Sequence, residues 1–99
     1  MKLYTSVGPN PRVVRMFLAE KGIKMPMEEI DIRSGVNREA AFVAKNPTGL
    51  SPALELDNGD VISEITAICE FIEDNHAEPV LVGSTPAEKA NTRMWTRRV

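Results

Sequence analysis

Strand-like and helix-like runs alternate through the first half of this chain. An Asn-Gly turn then breaks the alternation by joining two strand-like runs directly. That order restricts the fold to a mixed sheet with helices packed on it. Lys2 to Thr5 reads as a short strand, and Ser6-Val7-Gly8-Pro9 as a loop. Asn10 before Pro11 predicts an N-cap followed by proline at the first helical position. From Pro11 to Lys21 the apolar residues Val14, Phe17 and Leu18 recur at helical spacing. Gly22 then predicts the stop. Met27 to Ile32 alternates imperfectly as a second strand. Asn37 to Lys45 reads as a short helix stopped by Asn46-Pro47. Strand, helix, strand implies parallel pairing with a right-handed crossover.

Residues 46–52 form an irregular loop with two prolines and a glycine. Ala53 to Leu56 is a third strand. Asp57-Asn58-Gly59-Asp60 predicts a tight hairpin, and Val61-Ile62 starts its partner. Glu64 to Asp74 is helical, with Ile65, Ile68 and Ile72 on one face. A linker around residues 77–84 leads to Thr85-Pro86-Ala87-Glu88, a capping box with proline at the first helical position. The helix it opens runs to Val99 with no stop signal, as a helix cut off would. The expected class is therefore α/β, with the order βαβαββα and a further helix beginning.

A chain of 99 residues holds one small domain and not two. A net charge of -2 gives no sign of a nucleic-acid or anionic-membrane partner. Cys69 is the one cysteine, so an internal disulfide and a CxxC redox pair are both excluded. With His76 the sole histidine, no converging metal-ligand cluster shows. The first residues are too short and mixed for a signal peptide. No apolar run approaches the ~20 residues of a membrane span. The default expectation is a cytoplasmic protein.

Three segments resemble the N-terminal domain of glutathione transferases, in family order and spacing. One is Lys2-Leu3-Tyr4 with Gly8 to Arg15 and Leu18 to Ile23. The second is Asn46 to Leu56. The third is Ser63-Glu64-Ile65-Thr66-Ala67-Ile68. The resemblance implies a thioredoxin-like glutathione-binding domain over residues 1–82. Residues 83–99 would be a linker and the first part of a truncated helix of an all-α C-terminal domain. It further implies a cis peptide bond at Pro52, with the backbone of Ser51 facing the cysteinyl part of glutathione. Glu64 would attract the ligand's α-ammonium group. Ile65 stands where the family usually has Ser, so its backbone N–H and the Thr66 hydroxyl would serve the γ-glutamyl carboxylate. Lys45 is either a contact for the glycine carboxylate or a last-turn helix cation.

Transferases activate the glutathione thiol because the thiolate is the nucleophile. In the Ser-type pattern of the family a hydroxyl precedes Pro-Asn, and here that position is Gly8. The remaining candidates are Asn10, Ser6 and the N-terminal backbone of the first helix, where Arg12 and Val13 would supply N–H groups. The Gly8-Pro9 and Pro11 spacing resembles a fungal and bacterial subgroup without the usual Tyr, Ser or Cys catalyst. Tyr4 and Cys69 read as packed residues, and Arg12 as a solvated first-turn cation. His76 reads as a surface charge near a helix end. Met16, Met25, Met27 and Met94 read as core or interface filler.

The function implied is a glutathione transferase acting on small electrophiles. Glutathione would be co-substrate, with no cofactor and no metal, and the full-length protein a homodimer used in detoxification. The alternative is a non-catalytic glutathione-binding or interaction module on the same fold.

Overall fold

A computed structural model describes residues 1–30 and 51–98 of the chain. The elements are β1 (Lys2–Thr5), α1 (Pro9–Lys21), β2 (Met27–Glu29), β3 (Ala53–Glu55), β4 (Val61–Ser63), α2 (Ile65–Asn75) and α3 (Pro86–Arg98). The strands form one sheet in the order β2-β1-β3-β4. β1 and β2 are parallel, while β1–β3 and β3–β4 are antiparallel. The mixed thioredoxin-like sheet is thus present. The helix expected over 37–45 lies outside the described residues, as do Lys45 and the loop through Leu50.

Alternation along the strands divides the core. Leu3 and Leu54 point to the helical face, where Val14 and Leu18 of α1 and Ile68, Cys69 and Ile72 of α2 bury against them. Tyr4 and Ala53 point to the opposite face, with Ile30. The Tyr4 hydroxyl donates to Glu55 Oε1 at 3.2 Å, so this phenol is a packed strand residue. The hairpin is a three-residue connection rather than a two-residue turn. Gly59 N–H bonds Leu56 O at 3.0 Å, Leu56 N–H bonds Asp60 O at 2.8 Å, and Gly59 takes φ 93°.

α1 begins two residues earlier than the sequence suggests. Gly8, at φ 144°, is the N-cap, and Pro9 is the first helical residue. Asn10 is therefore not a cap but lies inside the first turn. Proline's fixed φ suits the first helical position, and glycine alone tolerates the bend before it. The other end behaves as expected. Gly22 takes φ 68°, and the N–H groups of Gly22 and Ile23 close on Ala19 O and Leu18 O. Met16, Met27 and Met94 are exposed, while Met25 packs against the core, as does Met1.

A buried ion pair joins the far ends of α1 and α2. Lys21 Nζ lies 2.5 Å from Glu73 Oε1, with side chains 0% and 6% exposed. Lys21 also donates to His76 O at 2.5 Å and Pro79 O at 2.7 Å. Glu73 accepts the N–H groups of Leu81 at 3.1 Å and Val82 at 2.5 Å. One pair therefore fixes both helices and the linker that follows. Burial pushes the Glu73 carboxyl up, but the bonds from Lys21, Val82 and Leu81 outweigh it and hold the carboxyl below its ordinary value.

α3 is attached differently, because none of its residues is buried. Its capping box forms as expected: Glu88 N–H bonds Thr85 Oγ1 at 3.2 Å, and Thr85 N–H bonds Glu88 Oε1 at 3.0 Å. Gly83, at φ 102°, lies against it. A Cβ there would sit 2.7 Å from Glu88 Cβ and 2.9 Å from its carbonyl carbon.

Two expectations follow. Lys21→Met leaves the Glu73 carboxylate buried without its cation and lowers unfolding free energy in urea by about 3–5 kcal/mol at pH 7. Adding Glu73→Leu recovers only part, since Leu81 and Val82 then lose their acceptor. The Glu73 contribution is present above the unfolded-state value near 4.5 and disappears as pH falls through the lower folded-state value. Wild-type urea midpoints therefore drop in acid more than those of Glu73→Gln. Separately, Gly83→Ala destabilises the chain by about 1–3 kcal/mol in thermal melts, through the clash and the positive φ together.

Candidate functional site

Strand register brings three loops to one end of the sheet. Ala53 is paired with Tyr4 on one side and Ser63 on the other. The segment before β3, the segment after β1 and the start of α2 after β4 must therefore lie side by side. These are Ser51-Pro52, Ser6 to Gly8, and Glu64 to Thr66. The Ser6 and Ser51 hydroxyls meet at 3.0 Å. The Ser51-Pro52 bond is cis, as the resemblance implies. Pro52 is buried, Ser51 half-buried, and Ser6 only 3% exposed.

Arg15 shapes this end of the molecule and was not singled out by the sequence. Its Nη1 donates to Thr5 Oγ1 and, at 3.2 Å, to Ser6 O. It thus ties the end of β1 to α1 and holds the loop that carries Ser6. Its position one helical turn after Pro11 is the only sequence signal for that role. A cleft of about 650 Å³ opens beside it, lined by Ser6, Gly8, Pro9, Arg12 and Glu29 among others. Val7, Val13 and Met16 give it exposed apolar walls.

The α1 N-terminus has fewer N–H groups than a helix normally exposes. The first four donors of a helix have no internal acceptor. Two of the four here are prolines, Pro9 and Pro11, which leaves Gly8 and Asn10. Arg12 and Val13, expected as the donors, instead fall where the helix's own carbonyls accept. Asn10 is exposed and does not line the cleft that Ser6, Gly8 and Pro9 share.

Glu64 is the N-cap of α2 rather than its first residue. It takes φ 78°, the positive φ of a non-glycine residue, and its carbonyl accepts Ile68 N–H at 3.0 Å. No side chain caps this helix. Glu64 and Thr66 are exposed, Ile65 half-buried, and together they line a cleft of about 520 Å³ with Arg93, Thr96 and Arg97 of α3. No arginine of α3 was read from the sequence as part of the site. The signal would have been its spacing relative to α2, which becomes meaningful only once the two helices lie together.

Cys69 sits under this end of α2 in the core. Burial, with the Glu70 charge, pushes its thiol from 9.0 up to about 11. It is not a poised nucleophile. Among the described residues no group of His, Cys, Asp and Glu is placed to hold a metal ion, and no helix is long and apolar enough to cross a membrane.

A thioredoxin-like mixed sheet with a cis-proline loop, a β1–α1 loop and a helix start side by side defines the architecture of glutathione-handling N-terminal domains. The sequence pattern of the glutathione S-transferase N-terminal domain matches residues 7–75, and the chain belongs to that family. It is 41% identical over 96 residues to glutathione S-transferase 2 of Saccharomyces cerevisiae, covering 95% of this chain and 41% of that protein. It is 34% identical over 96 residues to maleylacetoacetate isomerase of Pseudomonas aeruginosa, covering 94% of this chain and 45% of the isomerase. The crystal structure of a glutathione S-transferase domain-containing protein from Marinobacter aquaeolei superposes with a TM-score of 0.94 at 40% identity. That match spans 99% of this chain and 49% of the crystallised one. The chain thus spans less than half the length of these relatives.

For Cys69 the expectation is inertness. The rise from 9.0 to about 11 cuts the thiolate population at neutral pH about 100-fold. Iodoacetamide labelling, followed by mass spectrometry at pH 7.5, should stay slow until urea unfolds the chain.

Proposed function

We propose that this protein binds glutathione at the sheet end where Ser6, Ser51 and Glu64 meet, and activates its thiol for attack on small electrophiles. What supports this is the register that sets Ala53 between Tyr4 and Ser63, because it gathers all three loops at one place. The backbone N–H and C=O of Ser51, beside Pro52, receive the cysteinyl unit. The Glu64 carboxylate takes the α-ammonium group through a charge-assisted hydrogen bond. The α2 start at Ile65 and Thr66 faces the γ-glutamyl carboxylate. Lys45 takes the glycine carboxylate. Residues 1–82 are the glutathione-binding unit, and 83–99 lead into a helical domain that would hold most of the electrophile. In the same proposal the full-length protein is a cytoplasmic homodimer with a detoxifying role.

The thiolate lies by the start of α1. There the Gly8 and Asn10 N–H groups and the helix dipole favour negative charge. Asn10 or Ser6 provides the side-chain donor. The two hydroxyls of Ser6 and Ser51 share one hydrogen bond, which leaves one proton of the pair free to donate. Gly8 at the place of the usual hydroxyl supports a second reading, a module that binds glutathione without turnover.

Calorimetry and the thiolate absorbance of bound glutathione test these assignments. Glu64→Gln is expected to weaken glutathione binding about fivefold to tenfold, the effect of one exposed charge-assisted bond. Ser6→Ala and Asn10→Ala are expected to leave affinity near wild type, and the true donor's loss raises the pKa of the bound thiol. An unchanged thiol pKa in both variants, with no consumption of an aryl halide by the wild type, would favour the non-catalytic reading.

A further inference from the structure

α2 and α3 run alongside each other as an ionic ladder with one rung incomplete. Lys89 Nζ lies 3.7 Å from Asp74 Oδ1, and Arg93 Nε lies 2.5 Å from Glu70 Oε1. Each step moves four residues forward on α3 and four back on α2, so each rung repeats on one face of its helix. The next step sets Arg97 opposite Thr66, and both line the cleft that also contains Glu64 and Ile65. Thr66 carries no charge. Arg97 has no hydrogen-bond or ion-pair partner among the described residues. Arg98 does not share the duty, because its guanidinium lies over the Trp95 ring at 5.2 Å.

The flat fork of a guanidinium suits a carboxylate. Glu64 supplies the opposite charge in the same cleft. A cation and an anion lining one cleft are complementary to a zwitterion, the α-amino-acid end of a γ-linked peptide. We propose that Arg97 is a recognition residue for the α-carboxylate of the γ-glutamyl group, completing the third rung when the ligand binds. This rests on the glutathione-binding proposal above and adds a residue from α3 to it. Its consequence is discrimination: the site reads the free amino-acid end by two opposite charges on different elements.

The test compares glutathione with γ-aminobutyryl-cysteinyl-glycine, which keeps the amine and lacks only the α-carboxylate. Calorimetry is run on the full chain as wild type, Arg97→Leu and Arg97→Lys, with circular dichroism melts to confirm folding. Wild type is expected to prefer glutathione, with about fivefold to tenfold of that preference coming from Arg97, the range for one exposed charge-assisted contact. Arg97→Leu should keep only the part of the preference that the Ile65 N–H and the Thr66 hydroxyl supply, and Arg97→Lys should keep more of it. An unchanged preference in Arg97→Leu overturns the assignment of Arg97 and leaves glutathione binding intact. Failure of the wild type to bind either peptide overturns both.

Discussion

The position of Ala53 between two antiparallel partners is the constraint on which the rest of this molecule depends. Because Ala53 pairs with Tyr4 and with Ser63, the ends of β1 and β4 and the start of β3 are forced to the same edge of the sheet. Nothing about Ser6, Ser51 or Glu64 individually makes a site. A one-residue slip of β3 would turn Leu54 out of the helical core and Ala53 into it. The core therefore protects the register, and the register assembles the loops. Burial of Leu3, Leu54, Ile68 and Ile72 therefore holds the three loops together as well as stabilising the sheet.

The two ends of α1 are built in opposite ways. At its C-terminus Lys21 is enclosed by Glu73 and by the carbonyls of His76 and Pro79. At its N-terminus glycine and two prolines leave few donors, no acidic side chain in the first turn and no side-chain cap. The closed end carries the stability. The open end leaves a partial positive charge exposed next to the cleft lined by Ser6 and Gly8. An anion placed there meets the helix without having to displace a capping residue.

Much of this was legible in the sequence, and the failures have local causes. Gly22, the hairpin around Asn58-Gly59 and the Thr85–Glu88 capping box declare themselves by residue type, because each solves a backbone problem within a few positions. The start of α1 misled because Asn10-Pro11 and Gly8-Pro9 are both good helix openings, and the glycine's backbone freedom decided for the earlier one. Glu64 was read as helical because its positive φ leaves no mark on the sequence. The Lys21–Glu73 pair joins residues far apart in the chain, and charged residues are rarely enclosed, so nothing local announced it. Arg97 belongs to the same class. Its unanswered charge becomes visible only when Asp74 and Glu70 are seen answering its two predecessors.

The ladder between α2 and α3 also sets how α3 responds to its surroundings. Apart from the close approach at Gly83, α3 holds on through charges that remain in contact with water, the Lys89 side chain 38% and Arg93 57% exposed. Mobile counterions weaken such contacts, while they barely touch an enclosed pair like Lys21 and Glu73. Raising ionic strength therefore loosens the hold of α3 on α2 while leaving the pairing of the sheet and the enclosed Lys21–Glu73 contact in place.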